Sequence, residues 1–318
     1  MDCDPQMHRR YALVFNSTAG VAIPRLLDGV VSSLRHSKAE VFQVPARNSA
    51  EASERVADLA RRGAADAVIA AGGDGTFRAV ATGAAGTSLP VGLVPLGTGN
   101  VLAAEIGLPK GVQALADVLL TGEQIEMRGG LANGEPFFLM LGAGFDARVV
   151  AKLSYRTKRA FGRGAYVYPV IKTFAEAHPV FDVELDGRRF EASWVILSFA
   201  IRYGSVFTLA PDAGVGRDTL VAVVMEAGTR RAIGANLLSL ALGWLARPET
   251  RPKGVHVLPV KAATIGKRER THFQVDGDEG GMSPVEVRAD GPRVRLIVPP
   301  RYVADLTNCH ANRLAYEV

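Results

Sequence analysis

The sequence predicts an α/β protein of two domains: an N-terminal domain on a parallel sheet flanked by helices, then a mostly antiparallel C-terminal domain. Three observations carry this. The chain has 318 residues, more than one core usually serves. Short apolar runs alternate with helical patterns up to about residue 120, the mark of strand–helix–strand units. From about Phe137 the apolar runs are instead separated by Gly, Pro and Asp, as in hairpins.

In chain order, Tyr11–Phe15 is the first buried strand. Ala50–Arg62 follows as a helix, with Ala52, Val56, Leu59 and Ala60 on one side and charges on the other. Ala67–Ala71 and Val91–Val94 are further strands, each ending in a glycine-rich turn, and Phe77–Ala85 and Val112–Leu120 are helices. These elements make residues 8–129 an α/β domain, to which a short tail, 299–318, packs back. Phe181–Leu185, the turn Asp186-Gly187 and Phe190–Phe199 form a hairpin pattern. Leu220–Met225, Val255–Pro259, Phe273–Val275, Val285–Val287 and Val294–Val298 complete a second domain over 130–298.

Composition narrows the possible functions. At 48% hydrophobic and 22% charged residues the chain buries a large core and is not disordered. The net charge of +5 suits phosphate-bearing ligands or an anionic membrane and is too weak to indicate nucleic acid. Cys3 and Cys309 near the two ends provide neither a disulfide framework nor a zinc site, and the histidines lack ligand spacing. No secretory signal fits the start. The longest mostly apolar stretch, Ala235–Ala246, is far short of the ~20 residues that span a bilayer. These features predict a cytoplasmic protein whose membrane contact is peripheral.

Three turns carry the chemistry: Asn16-Ser17-Thr18-Ala19-Gly20, Gly72-Gly73-Asp74-Gly75-Thr76 and Pro95-Leu96-Gly97-Thr98-Gly99-Asn100. Turns after parallel strands emerge at the carboxyl edge of the sheet, where ligands bind. Glycines there let backbone N–H groups approach an anion, and a following helix N-terminus favours negative charge. Asp74, between glycines, suits a metal or a ribose, or else caps a helix starting near Thr76. A Walker A motif is absent, because Thr98 stands where its lysine must be. Gly142-Ala143-Gly144-Phe145-Asp146-Ala147 has the dinucleotide spacing, but no acid occurs between Asp146 and Glu176 to hold a ribose.

Late in the chain, Asp276-Gly277-Asp278 places two carboxylates at i and i+2. In an extended strand both face one site, as phosphoryl transfer to a hydroxyl requires; the plain alternative is an Asp-Gly hairpin turn. Taken in order, the Gly72–Thr76 turn, the Pro95–Asn100 turn, Gly142–Ala147 and Asp276–Asp278 resemble the diacylglycerol-kinase-type lipid kinases. That family includes bacterial diacylglycerol kinase homologues, sphingosine kinases and ceramide kinases, with distant similarity to NAD kinases. The resemblance runs over roughly residues 10 to 305. It implies an α/β nucleotide-binding domain followed by a β-sandwich lipid-substrate domain. It also implies transfer of the ATP γ-phosphate, with Mg²⁺, to a lipid alcohol, diacylglycerol first. The alternatives are a sphingoid base or ceramide, an NAD-kinase-like activity, and a non-catalytic nucleotide- or lipid-binding protein.

By the same resemblance, Gly72, Gly73, Asp74, Gly75, Thr76, Phe77 and Arg78 would bind ATP together with Gly97, Thr98, Gly99 and Asn100, and Asn16 would lie near the phosphates. Asp278 would accept the proton of the lipid hydroxyl, with Asp276 and Asp74 also catalytic. Asp218, with Val215 and Leu220, would match a structural magnesium loop. The chain departs from the family at Arg78-Ala79, where Asn-Glu is common, and at Asp278, where Glu is commoner. Arg148, Lys152, Arg156, Arg159 and Arg163 recur at helical spacing with no acid between them and predict a basic stripe for an anionic membrane. Leu237–Leu245 is read as a core helix or an interfacial one. A homodimer is left open.

Overall fold

The computed structural model describes residues 10–17, 25–153, 162–226 and 228–306. It divides into two compact units. The first holds the chain through Leu96, Ile106–Met127 and everything from Arg293; the second holds Gly97–Glu105 and Arg128–Pro292.

In the first unit β1 (Arg10–Asn16), α1 (Arg25–His36), β2 (Glu40–Ala46), α2 (Ser49–Arg62), β3 (Ala67–Gly72), α3 (Asp74–Ala84) and β4 (Val91–Pro95) follow in order. After α4 (Val101–Glu105), which belongs to the second unit, come α5 (Val112–Thr121) and β5 (Glu123–Arg128). The sheet runs β2–β1–β3–β4, then the late strand Arg293–Val298, then β5. The pairings among β1–β4, and that of the late strand with β4, are parallel. Residues 293–298 were expected in the second domain; instead they fill a gap in the first sheet, since only a strand between β4 and β5 covers both edges. Likewise Gly97–Glu105 groups with the second unit.

Local chemistry explains these helices. The Asn48 side chain accepts from Glu51 N–H at the start of α2, and Gly63 ends it in the left-handed conformation at φ 59°. A Cβ on Gly83 would lie 2.2 Å from Ser53 O, so glycine there lets α3 lie close on α2. α1, not among the expected elements, buries Leu27, Val30 and Leu34 at helical spacing, with Leu26 and Val31 packed beside them.

The second unit contains β6 (Gly130–Ala132), β7 (Glu135–Phe137), β8 (Met140–Gly144), α6 (Phe145–Ala151), α7 (Val167–Ala175), β9 (Phe181–Leu185), β10 (Arg188–Ala192) and β11 (Trp194–Ser198). It continues with β12 (Arg202–Tyr203), β13 (Phe207–Thr208), β14 (Leu220–Met225), α8 (Arg230–Ala241), β15 (Val255–Val260), β16 (Ala262–Ile265), β17 (His272–Val275), β18 (Asp278–Met282) and β19 (Val285–Arg288). Two six-stranded antiparallel sheets form a β-sandwich: β10–β9–β16–β19–β6–β7 and β15–β14–β11–β8–β17–β18.

One core lies between the sheets; another lies under α6 and α8 on the outer face of the second sheet. Alternation assigns the side chains. Val195 and Leu197 of β11 enter the sandwich core, while Trp194 and Ile196 enter the helix-covered one. Both faces being covered, β11 and β14 read as unbroken apolar runs. The strand expected over Phe190–Phe199 is two strands. The chain changes sheets at the buried Ser193, whose carbonyl lies 2.2 Å from where a Cβ on Gly144 would sit.

Candidate functional site

In the first unit β1, β3 and β4, the strands that lead into the three turns, end side by side; Thr18, Ala19 and Gly20 lie outside the described residues. β1 and β3 pair with Phe15 opposite Ala71, so Asn16 and Gly72 leave the sheet side by side. Gly72 stands opposite Pro95, and Leu96 N–H donates to Gly72 O at 2.9 Å. A Cβ on Gly72 would come within 2.3 Å of the Thr76 hydroxyl, so this position has no room for a side chain. Gly73 is the extended N-cap of α3, and no side chain caps the helix. The helix therefore begins at Asp74, two residues earlier than expected, and Asp74 is a first-turn residue rather than the cap.

The turn fits a nucleotide's phosphates. It combines a strand end, two adjacent glycines and an 11-residue helix whose first turn lacks a capping side chain. A carboxylate in that same turn would repel a phosphate unless a divalent cation carried by the nucleotide lay between them. Phe77 is a correction: it is completely buried, and its ring anchors α3 instead of meeting a ligand. Gly75, Thr76 and Arg78 are half-buried, and Asn16 is exposed.

In the second unit Gly97–Asn100 closes on itself. Asn100 Oδ1 accepts from Gly97 N–H at 3.0 Å, its Nδ2 donates to Gly97 O at 2.6 Å, and its φ is +48°. Asn100 thus shapes the turn that presents Thr98 and Gly99. The helix behind this turn ends in Glu105, whose buried carboxylate accepts from Ile201 N–H (2.9 Å) and Arg202 N–H (3.0 Å). Burial pushes its pKa up against these hydrogen bonds and against the Val215 N–H, which also faces it.

The two late acids part company. Asp276 and Gly277 both have positive φ, 50° and 85°, and form the two-residue turn between β17 and β18. The i, i+2 argument fails because the chain turns between them. Asp276 is buried, and its carboxylate accepts from the N–H groups of Phe138, Leu139 and Met140 at 3.0, 2.8 and 2.9 Å. This corrects its expected catalytic role: its oxygens hold the chain entering β8. Asp278, the first residue of β18, is exposed.

Each residue of the expected magnesium set has a described neighbour in the second unit. Asp218 pairs with Arg128 at 3.0 Å, Val215 turns its N–H to Glu105, and Leu220 sits in the β14–β15 ladder opposite Val260. Only the start of the basic stripe lies among the described residues. α6 ends at Ala151, and Arg148 and Lys152 both pair with Glu176, at 2.6 and 3.0 Å. Arg156, Arg159 and the Arg163 side chain lie outside the described residues.

One acid of the Gly142–Ala147 motif has no role assigned from the sequence. Asp146, in the first turn of α6, is 3% exposed, and burial pushes its pKa up to about 7. The folded chain keeps this proton between pH ~4 and ~7 while the unfolded chain does not, so stability falls as pH rises through that window and stays lowered above it. Asp146→Asn removes the cost. It is expected to gain a few kcal/mol over the wild type above pH 7 and little near pH 4, read from urea melts at both pH values. An equal effect at both pH values would show that Asp146 is ionised throughout.

Comparison with known proteins agrees with this architecture. The diacylglycerol kinase catalytic domain model matches residues 10–132, and the YegS C-terminal NAD kinase beta sandwich-like domain model matches 140–298. A Bacillus subtilis diacylglycerol kinase is 24% identical over 92% of this chain and 97% of its own length. An uncharacterized Synechocystis protein is 26% identical over 73% of this chain, a match that spans about half of that relative (54%). The crystal structure of a diacylglycerol kinase from Bacillus anthracis str. Sterne shares the fold, with a TM-score of 0.73, 19% identity and coverage of 92% and 98% of the two chains.

Proposed function

The chain belongs to the diacylglycerol-kinase-type lipid kinase family, and from that premise we propose that it transfers the γ-phosphate of MgATP to the free hydroxyl of diacylglycerol. The observation that carries this reading is the Gly72–Thr76 turn, a phosphate cradle opening α3 with a carboxylate in its first turn. The cradle amides take phosphate oxygens, and Asp74 holds the nucleotide's cation. Asn16, level with Gly72, and Thr98 orient the nucleotide. Magnesium supplies charge neutralisation on the phosphates when bound. Asp278 accepts the hydroxyl proton as the lipid oxygen bonds to the γ-phosphorus and the bond to ADP breaks. A sphingoid base or ceramide is the second choice of acceptor.

Among the described residues no helix is long and apolar enough to cross a membrane, so a bilayer substrate has to be met at the surface. Exposed apolar side chains favour one face for this. Tyr168 and Ile171 on α7 are 70% and 62% exposed, and Leu238, Leu242 and Trp244 stand out on α8 and the turn after it. The exposed Lys172, Arg231 and Arg247 flank them, matching an anionic headgroup layer. Leu240 and Leu245 are buried, so the Leu237–Leu245 stretch is both core and surface.

A labelled-ATP assay with diacylglycerol, sphingoid, ceramide and NAD acceptors tests the activity. The expected result is labelled phosphatidate, and labelled NAD without any labelled lipid would overturn the proposal. In the same assay Tyr168→Glu with Ile171→Glu should raise the apparent KM for vesicle diacylglycerol about tenfold or more. It should leave short-chain diacylglycerol in detergent nearly unchanged. Equal losses on both forms would remove α7 from the docking face.

A further inference from the structure

We propose that Asp146 is a positioning residue for Asp278, acting through the Gln274 side chain and the Asp276-Gly277 turn. The inference rests on the reading of Asp278 as proton acceptor. Asp146 and Gln274 are 128 positions apart, and both are buried. Gln274 Nε2 donates to Asp146 Oδ2 at 3.2 Å, and on its other side Oε1 accepts from Gly277 N–H at 2.8 Å. The Gly277 N–H can only donate, so the amide oxygen faces the turn and Nε2 is left facing Asp146. Asp146 anchors the far side of that amide and so holds its oxygen in place against the turn. Space is reserved for this acid, because a Cβ on Gly142 would come within 2.1 Å of Asp146 Oδ2.

The turn is held from two sides. The Asp276 carboxylate ties it to the N–H groups of residues 138–140, and Gln274 ties Gly277. Asp278 is the next residue, paired with Val275 across the hairpin. The other Asp-Gly turn, Asp186-Gly187, has nearly the same backbone, with φ of 45° and 82°. There the Asp186 carboxylate accepts from the exposed N–H groups of Lys261 and Ala262, and no buried acid and amide stand behind it among the described hydrogen bonds. A hairpin turn does not require a buried carboxylic acid, whose burial is costly. Placement of the following carboxylate, where an error of about 1 Å can cost 10²-fold in rate, does benefit from one.

The test joins hydrogen exchange to kinetics. Gln274→Met removes both hydrogen bonds at similar volume. It should speed exchange of the Gly277 and Asp278 amides about tenfold. It should also lower kcat about 10- to 100-fold with the ATP KM little changed. Asp146→Ala should do the same to a smaller degree, and Asp146→Asn, which keeps an acceptor oxygen for Gln274, should recover most of the loss. If Asp146→Ala does not fold, Gln274→Met and Gln274→Glu, which keeps the acceptor for Gly277, carry the comparison. Wild-type exchange in Gln274→Met, or an Asp146→Asn as impaired as Asp146→Ala, overturns the proposal. Should Asp278→Asn itself stay active, the proton-acceptor reading falls, while the exchange rates still decide whether Asp146 and Gln274 hold the turn.

Discussion

Asp278→Asn is expected to lower kcat by about 10²–10⁴-fold while leaving the melting temperature and the ATP KM close to wild type. The size follows from the step. Without a carboxylate to take the proton, the lipid hydroxyl attacks as a poor nucleophile, whereas the phosphate cradle on α3 is untouched. The unchanged stability follows from position: Asp278 is exposed at the start of β18, and an isosteric amide costs little there. Asp278→Glu should retain appreciable activity, because the same group returns on a stem one methylene longer. Steady-state rates with labelled ATP and detergent-dispersed diacylglycerol decide this. A fully active Asp278→Asn would end the assignment.

Asp276→Ala should have the opposite profile and destabilise the fold by roughly 4 kcal/mol. Three buried N–H groups, of Phe138, Leu139 and Met140, lose a charged acceptor together, and each unsatisfied donor costs about 1–3 kcal/mol. Asp276→Asn keeps one acceptor oxygen and should lose about half as much. Urea melts measure both, and activity below the transition should track the folded fraction. A variant at residue 276 that melts like the wild type yet has no kinase activity would return Asp276 to the chemistry. The two acids, two positions apart, thus separate experimentally into one that is needed for the reaction and one that is needed for the fold.

What could be read along the chain was whatever depends on near neighbours. The strand–turn–helix at Ala67–Ala84 showed itself through an apolar run, paired glycines and a helical period. The Asp276-Gly277 turn carried the commonest hairpin dipeptide. The glycine turns and the family resemblance came from these same local signals. Other features depend on residues distant in the chain, and only the tertiary structure decided them. The strand Arg293–Val298 joins the first sheet because the gap between β4 and β5 is there to be filled. Asp276 faces inward because the N–H groups of residues 138–140 wait for it, and Arg148 and Lys152 share the one carboxylate of Glu176 from another helix end. Asp146 stood in the Gly142–Ala147 motif without a role of its own, and its partner Gln274 lies 128 positions later. A hydrogen bond or an ion pair needs its partner within about 3 Å in space, and no local pattern of residue types encodes a partner that far along the chain.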